Sequence, residues 1–202
     1  MIKRAFDIVI AAIGLIVLSP MMVMVAILIK LDSRGPVVFT QERIGRAFQP
    51  FSIYKFRTMI QSPPTHRLPL TVGQDPRVTR IGRILRKTKI DELPQLLNIL
   101  AGDMSFVGPR PEVRQYVELF KEDYEEILRV RPGLTDVASL KYQDEANLMA
   151  QFTNPEEEYV RRILPDKIRL AKEYISRSSI FFDLRLILRT LPKLLGFKTP
   201  SH

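Results

Sequence analysis

The pattern of apolar and polar positions separates one long apolar stretch from a mixed remainder. From Ile8 to Ile29 the chain carries no charge, a run of 22 residues. That is enough for a membrane span, which needs ~20 apolar residues. Ser19-Pro20 stands at its middle, where proline removes a backbone hydrogen bond and crowds the preceding turn. Ser19 can bond to the backbone groups that Pro20 frees. Lys3 and Arg4 precede the run and Lys30 and Arg34 follow it, so the bias of basic residues towards the cytoplasmic side gives a straight span no direction. A helix bent at Ser19-Pro20, entering and leaving by one face, accommodates both sets of charges. On these grounds a re-entrant anchor and a straight span stand level. A secretory signal ranks behind both, because Leu31-Asp32-Ser33-Arg34 offers no small-residue cleavage site. Asp7 suits the positive end of the helix dipole, or pairs with Lys3 or Arg4.

Beyond this run the spacing predicts a small sheet and several helices. Val37-Val38-Phe39 and Phe51-Ser52-Ile53-Tyr54-Lys55-Phe56 read as two strands of a hairpin around the loop Gly45 to Pro50. Met59 to Pro76, with Pro63-Pro64, lacks periodicity and reads as a mobile loop. Val78, Ile81, Ile84 and Leu85 recur at helical spacing, with Arg77, Arg80, Arg83, Arg86 and Lys87 between them. Such a basic amphipathic helix suits an anionic bilayer, and equally an ordinary solvated surface. Further helices are expected over Glu92–Leu100, Glu112–Leu128 and Pro155–Ile175, the last opened by Asn154-Pro155 and three glutamates. A final helix, Ser179 to Leu195, collects Ile180, Leu184, Ile187, Leu188 and Leu191 on one face and Arg185, Arg189 and Lys193 on another, with Gly196 as its C-cap. This last helix too has the pattern of an interfacial one. The expected class is α+β, mostly helical, with a small β-hairpin and amphipathic helices at the bilayer surface, 1–34 being a membrane helix of the same fold and 35–202 the catalytic part.

Composition narrows the chemistry. Cysteine is absent and the only histidines are His66 and His202, which removes disulfides, thiol nucleophiles and zinc-thiolate sites and makes histidine triads improbable. Acid–base work falls to carboxylates, lysines and tyrosines. The net charge of +9 either serves solubility or points to an anionic partner. Nucleic acid is disfavoured, since neither a recognised binding motif nor a basic low-complexity tail occurs. Neither GxGxxG nor a P-loop pattern is present.

What remains is the segment Lys89 to Pro111. Asp91 and Glu92 open a short apolar helix, where Asp91 is either an ionised N-cap or a group able to ligate a divalent cation or attack phosphorus. Gly108-Pro109-Arg110-Pro111 restrains one guanidinium for phosphate. Lys55 and Arg57, on alternate residues of the second strand, add positive charge to one face, and Arg131-Pro132-Gly133 supplies another restrained arginine. Carboxylates with several restrained cations and no histidine suggest metal-assisted phosphoryl transfer.

Phe39-Thr40-Gln41-Glu42-Arg43-Ile44-Gly45, Tyr54-Lys55-Phe56-Arg57-Thr58-Met59, Asp91-Glu92-Leu93-Pro94-Gln95, Gly102-Asp103-Met104-Ser105, Gly108-Pro109-Arg110-Pro111 and Arg131-Pro132-Gly133, after Lys3-Arg4-Ala5-Phe6-Asp7 and Ser19-Pro20, occur in this order. The chain thereby resembles the bacterial sugar transferases, the small monotopic phosphoglycosyl transferases, over nearly its whole length. The resemblance implies a re-entrant helix bent at Ser19-Pro20 and a globular part on the cytoplasmic face of the bacterial inner membrane. It implies transfer of a sugar phosphate from a UDP-sugar to polyprenyl phosphate with release of UMP, as a first step of surface glycan assembly. By the same analogy Asp91 is the nucleophile and holds Mg²⁺, Glu92 completes the dyad, and Arg110 binds phosphate. Two positions depart from many relatives: Asp136, where a glycine is usual, and Ala171, where an aspartate is usual three residues before Tyr174. Asp136 and Tyr174 therefore mark the region expected to contact sugar and nucleotide. The rival readings are a glycosyltransferase releasing UDP and a non-catalytic membrane scaffold. A homo-oligomer is compatible with all of them.

Overall fold

The computed structural model describes residues 2–60, 73, 75–142 and 144–194. His66, Pro63-Pro64 and most of the loop expected between Met59 and Pro76 lie outside these residues, as do Gly196 and His202.

The apolar run forms one helix, α1 (Ile2–Asp32), continuous through Pro20. Pro20 has no N–H for the carbonyl of Ile16, and the Ser19 hydroxyl donates to that carbonyl instead, at 2.8 Å. One stripe of α1 faces the body: Asp7, Ala11, Val25 and Ile29 are buried, and Leu15, Leu18, Met21 and Met22 pack beside them. The opposite stripe is apolar and exposed, with Ile16 at 74% and Val17 at 68%. By length and composition α1 is able to cross a membrane. Yet it touches the body from end to end. Asp7 accepts from the backbone N–H of Phe106, and Asp32 at the far end accepts from that of Ile81.

Strands β1 (Val38–Ile44) and β2 (Pro50–Phe56) form the expected antiparallel hairpin, each longer than the apolar pattern alone marks. Helix α2 (Arg80–Thr88) starts two residues after Val78, where the Thr79 hydroxyl accepts from Gly82 N–H as the N-cap. Lys89 then takes a left-handed conformation, φ 58°. This turns the chain into a single 3₁₀ turn, Ile90–Glu92, ahead of α3 (Gln95–Ala101). The dyad thus precedes the helix it was expected to open.

Two elements follow that periodicity does not announce. Strand β3 (Ser105–Val107) pairs in parallel with β4 (Gly133–Thr135). At three residues each they are too short to show alternation. The helix expected over 112–128 is divided into α4 (Arg114–Leu119) and α5 (Lys121–Ile127) at Phe120, which leaves helical geometry (φ −119°, ψ 40°) as its ring packs on the main core. After β4 come α6 (Val137–Lys141) and α7 (Glu145–Met149). The helix expected from Pro155 is α8 (Pro155–Glu158), a π-helical turn over Tyr159–Ile163, and α9 (Leu164–Arg177). The wider turn sits ahead of Pro165, whose missing N–H leaves no donor for the usual bond back to Arg161. In helix α10 (Ile180–Leu194) Asp183 and Leu186 turn inward, while Ile180, Phe181, Leu184 and Leu188 are exposed.

The largest core, under α4, α5 and α9, includes Tyr116, Tyr124, Ile127, Met149, Tyr159 and Leu164. A second core joins α1, β2 and α3 through Ala11, Ile53, Leu96 and Ile99. Between these two cores lies an open cleft of about 2000 Å³.

Candidate active site

Asp91 and Glu92 are carried into the cleft by the 3₁₀ turn, and both are buried, at 7% and 9% exposure. The turn is held because Ile90 and Leu93 on either side pack with Val25, Ile29 and Leu85 of α1 and α2. Helix α3 is fixed to β2 by Asn98, which is fully buried. Its side-chain N–H donates to the carbonyl of Ser52 at 2.8 Å, and its side-chain oxygen accepts from Tyr54 N–H at 3.1 Å. One amide thereby satisfies the open edge of β2 as a neighbouring strand would. It sets the dyad against Lys55, one residue beyond Tyr54.

The two carboxylates are treated differently. One oxygen of Glu92, Oε1, accepts from Lys55 Nζ and from Arg110 Nη2, each at 2.8 Å. Burial would raise the Glu92 carboxyl, but Arg110 and Lys55 hold it well below the usual carboxylate range. Glu92 in turn raises Arg110 above its ordinary value. Burial lowers Lys55, against the pull of Glu92. Asp91 moves the opposite way: burial and the charge of Glu92 push its carboxyl up. Its buried Oδ1 has no hydrogen-bond partner. The expected N-cap role is therefore corrected, since the N-cap position of α3 is Pro94, without a side-chain cap.

Arg110 owes its position to an interlock of two loops. Gly108 N–H donates to Thr135 O at 3.1 Å, and Gly133 N–H to Pro109 O at 2.9 Å. A Cβ on Gly133 would lie 2.1 Å from the backbone nitrogen of Gly108, so only glycine lets the chains cross. The two proline-bracketed motifs, far apart in sequence, support each other.

The other expected cations do not join Glu92. Arg131 donates from Nε to Gly102 O at 2.7 Å, and Arg4 to Ile99 O and Leu100 O at 2.5 and 2.9 Å. These two arginines serve the carbonyl end of α3, where helix carbonyls lack intrahelical donors. Arg57, at 4% exposure, donates from Nη2 to Ser33 O and Oγ at the end of α1. Asp136 caps α6 by accepting from Ser139 N–H at 2.7 Å and lines the cleft, as does Ala171. Tyr174 lies elsewhere, donating to Asp183 and accepting from Lys3 at 2.8 and 2.9 Å, beside Val107 O. The Ser19-Pro20 pair is in α1, remote in sequence from every polar group of the dyad.

A second polar wall of the cleft was not foreseen. Tyr159 donates to Glu112 at 2.9 Å, Arg43 pairs with Glu112 at 3.5 Å, and Lys167 pairs with Glu145 at 2.6 Å. Burial and the neighbouring Glu112 push the Tyr159 hydroxyl far above its ordinary value. Only the Glu following Pro111 hinted at this wall, since its members come from four separate elements. Among the described residues no cluster of three or more acidic or histidine side chains could cage a metal. The orphaned Asp91 Oδ1 does fit magnesium, which takes one or two protein carboxylates and completes its shell with water and substrate phosphate.

Residues 1–196 match the family described as Bacterial sugar transferase. The chain belongs to that family. A UDP-N-acetylgalactosamine-undecaprenyl-phosphate N-acetylgalactosaminephosphotransferase of Aeromonas hydrophila is 38% identical over 202 residues, covering 97% of this chain and 44% of its own length. The UDP-glucose:undecaprenyl-phosphate glucose-1-phosphate transferase of Escherichia coli (strain K12) is 34% identical over 197 residues, 96% of this chain and 40% of its own. The Exopolysaccharide production protein PSS of Rhizobium leguminosarum bv. phaseoli is 40% identical over 200 residues, 94% of this chain and 93% of its own. The chain thus spans less than half the length of the first two relatives and nearly all of the third.

Proposed function

We propose that the protein transfers a sugar 1-phosphate from a UDP-sugar to polyprenyl phosphate at the cytoplasmic face of the bacterial inner membrane. The observation that carries this reading is the split within the dyad. Glu92 is neutralised by Lys55 and Arg110, whereas Asp91 keeps a buried oxygen with no partner. A carboxylate oxygen free of hydrogen bonds, beside fixed cations, is suited to attack phosphorus.

In the first step Asp91 attacks the β-phosphorus of the UDP-sugar. A new bond forms between the carboxylate oxygen and phosphorus, the bond to the bridging oxygen breaks, and UMP leaves. In the second, an oxygen of polyprenyl phosphate attacks the same phosphorus and Asp91 departs as free carboxylate. Arg110 and Lys55 hold the phosphate oxygens, and Glu92 keeps those two cations oriented. Asp91 would hold magnesium, which would supply positive charge to offset that of the phosphates.

The membrane placement rests on α1. A straight helix of 31 residues is ~46 Å long at 1.5 Å per residue, and a through-span would carry one end away from the body. Contacts at both Asp7 and Asp32 support re-entry instead. The exposed apolar stripe of α1, Ile84 of α2 among exposed Arg80, Arg83 and Lys87, and Phe181 and Leu188 of α10 suit the bilayer interface.

The test is incubation with a panel of UDP-sugars and Mg²⁺ without lipid acceptor. UMP release and a sugar-phosphate mass increment on the intact protein are expected. Release of UDP, or UMP release only with acceptor present and no adduct, overturns the covalent route.

A further inference from the structure

Arg57 and Arg86 stand apart from the paired cations of the dyad. Arg57 is 4% exposed, and its Nη2 is tied to the final turn of α1 through Ser33 O at 2.7 Å and Ser33 Oγ at 2.8 Å. Its Nε and Nη1 are buried without any hydrogen-bond partner. Buried guanidinium nitrogens are rarely left unpaired, because desolvating them without compensation is costly. Arg86 is fixed by donation from Nε to Thr58 Oγ1 at 2.8 Å, the residue that follows Arg57. Among the described residues neither arginine has a carboxylate within ion-pair distance. Both line the cleft that holds Asp91.

We propose that Arg57 and Arg86 form a second phosphate subsite, receiving the phosphomonoester of the lipid acceptor, distinct from the Arg110 position that takes the sugar nucleotide. This rests on the two-substrate reading above. Lys55 and Arg110 already share Glu92, so the donor's phosphates meet cations held by a carboxylate. Arg57 itself is anchored at the end of α1, through Nη2 on Ser33. There the outer face of the helix exposes Ile27 at 55% and Leu31 at 80%. A phosphate borne on a hydrocarbon chain reaches Arg57 along that apolar surface, which a soluble sugar nucleotide has no reason to use. Arg57 therefore joins the membrane helix to the acceptor: the group that seats α1 also presents donors to the lipid phosphate.

The experiment measures both Michaelis constants with a UDP-sugar donor, a short-chain polyprenyl phosphate and Mg²⁺, for the native enzyme, Arg57→Gln and Arg86→Gln. The acceptor KM is expected to rise about tenfold or more in each variant, with the donor KM moving less than about twofold, as loss of a charge-assisted bond to one substrate requires. A parallel rise in donor KM, or an unmoved acceptor KM, overturns the subsite. Arg57 also holds α1, so Arg86→Gln, which loses only a bond to a threonine hydroxyl, keeps the test decisive if Arg57→Gln fails to fold. Direct titration of farnesyl monophosphate and inorganic phosphate into the full chain in nanodiscs separates the two possible ligands. Farnesyl monophosphate should bind the native protein about tenfold or more tighter than Arg86→Gln. Inorganic phosphate binding as tightly would make this a free-phosphate site and overturn the acceptor assignment. If the native protein releases no UMP from any UDP-sugar, the reaction fails as proposed, while the farnesyl phosphate titration still reads the subsite.

Discussion

Gly133 and Gly108 pass so closely that a methyl group on Gly133 would stand 2.1 Å from the nitrogen and 2.3 Å from the oxygen of Gly108. Backbone atoms cannot swing away as a side-chain tip can. Gly133→Ala must therefore separate β4 from β3 and move Arg110 with them. The expected cost exceeds about 2 kcal/mol, read by denaturant unfolding, together with loss of transfer. A variant of native stability would show that the loops can part without strain.

Asp91→Asn tests the nucleophile. Oδ1 of Asp91 makes no hydrogen bond, so the fold and membrane association should survive the change. Transfer should fall by at least about a thousandfold, since the attacking group itself is removed. Retained turnover, measured as UMP release, would remove Asp91 from that role.

Asn98 seals the edge of β2. In Asn98→Leu, Ser52 O and Tyr54 N–H both lose their buried partner, at about 1–3 kcal/mol for each group left unsatisfied. Asn98→Asp keeps the acceptor for Tyr54 N–H and places a carboxylate against Ser52 O. Both variants should lower the unfolding midpoint, and neither should do so if water replaces the amide.

Acid should weaken the packing of α6 on α9. Burial pushes the Asp166 carboxyl up, but hydrogen bonds from Lys141, Tyr142 and Arg169 outweigh it and hold the group at about 2, against an ordinary 3.8. A depressed carboxyl stabilises the fold above its unfolded value and loses that contribution as pH falls through its folded one. The contribution is therefore complete above about pH 4 and disappears towards about pH 2. Asp166→Asn should flatten this part of the acid-unfolding curve, followed by circular dichroism.

The two stripes of α1 should respond differently to charge. Ile16→Asp with Val17→Asp alters only exposed positions and should shift the protein from membrane to soluble fractions on sedimentation while it remains folded. Ala11→Asp buries a carboxylate in the α1–α3 core and should unfold the protein instead. Membrane retention by the double variant would place the bilayer contact elsewhere.

Much of the fold was legible because it rests on local pattern. The apolar run, the hairpin with its loop at Gly45 to Pro50, and the helices after Arg80 and Pro155 each carry a periodicity or a cap. The β3–β4 pair was not legible, since three-residue strands show no alternation and their partner lies almost thirty residues away. The break at Phe120 was hidden for a related reason: a tertiary contact of one ring outweighs helical spacing. In the site, Asp91, Glu92 and Arg110 stood out through composition and proline restraint. The Glu112–Tyr159 and Lys167–Glu145 wall did not, because residues that meet across a cleft leave no spacing to find.

The sequence by itself determined that this chain has a long apolar run with Ser19-Pro20 at its middle, a dyad at Asp91-Glu92 and a proline-restrained arginine at 110. These are properties of neighbouring residues. Tertiary structure alone decided what each charge does. Lys55 and Arg110 converge on one oxygen of Glu92, Arg131 and Arg4 are spent on the carbonyl end of α3, and Arg57 ties down the end of α1 with two nitrogens to spare. A charged group takes its role from the acceptors within about 3 Å of it. Those acceptors are brought there by chain segments that no local pattern connects.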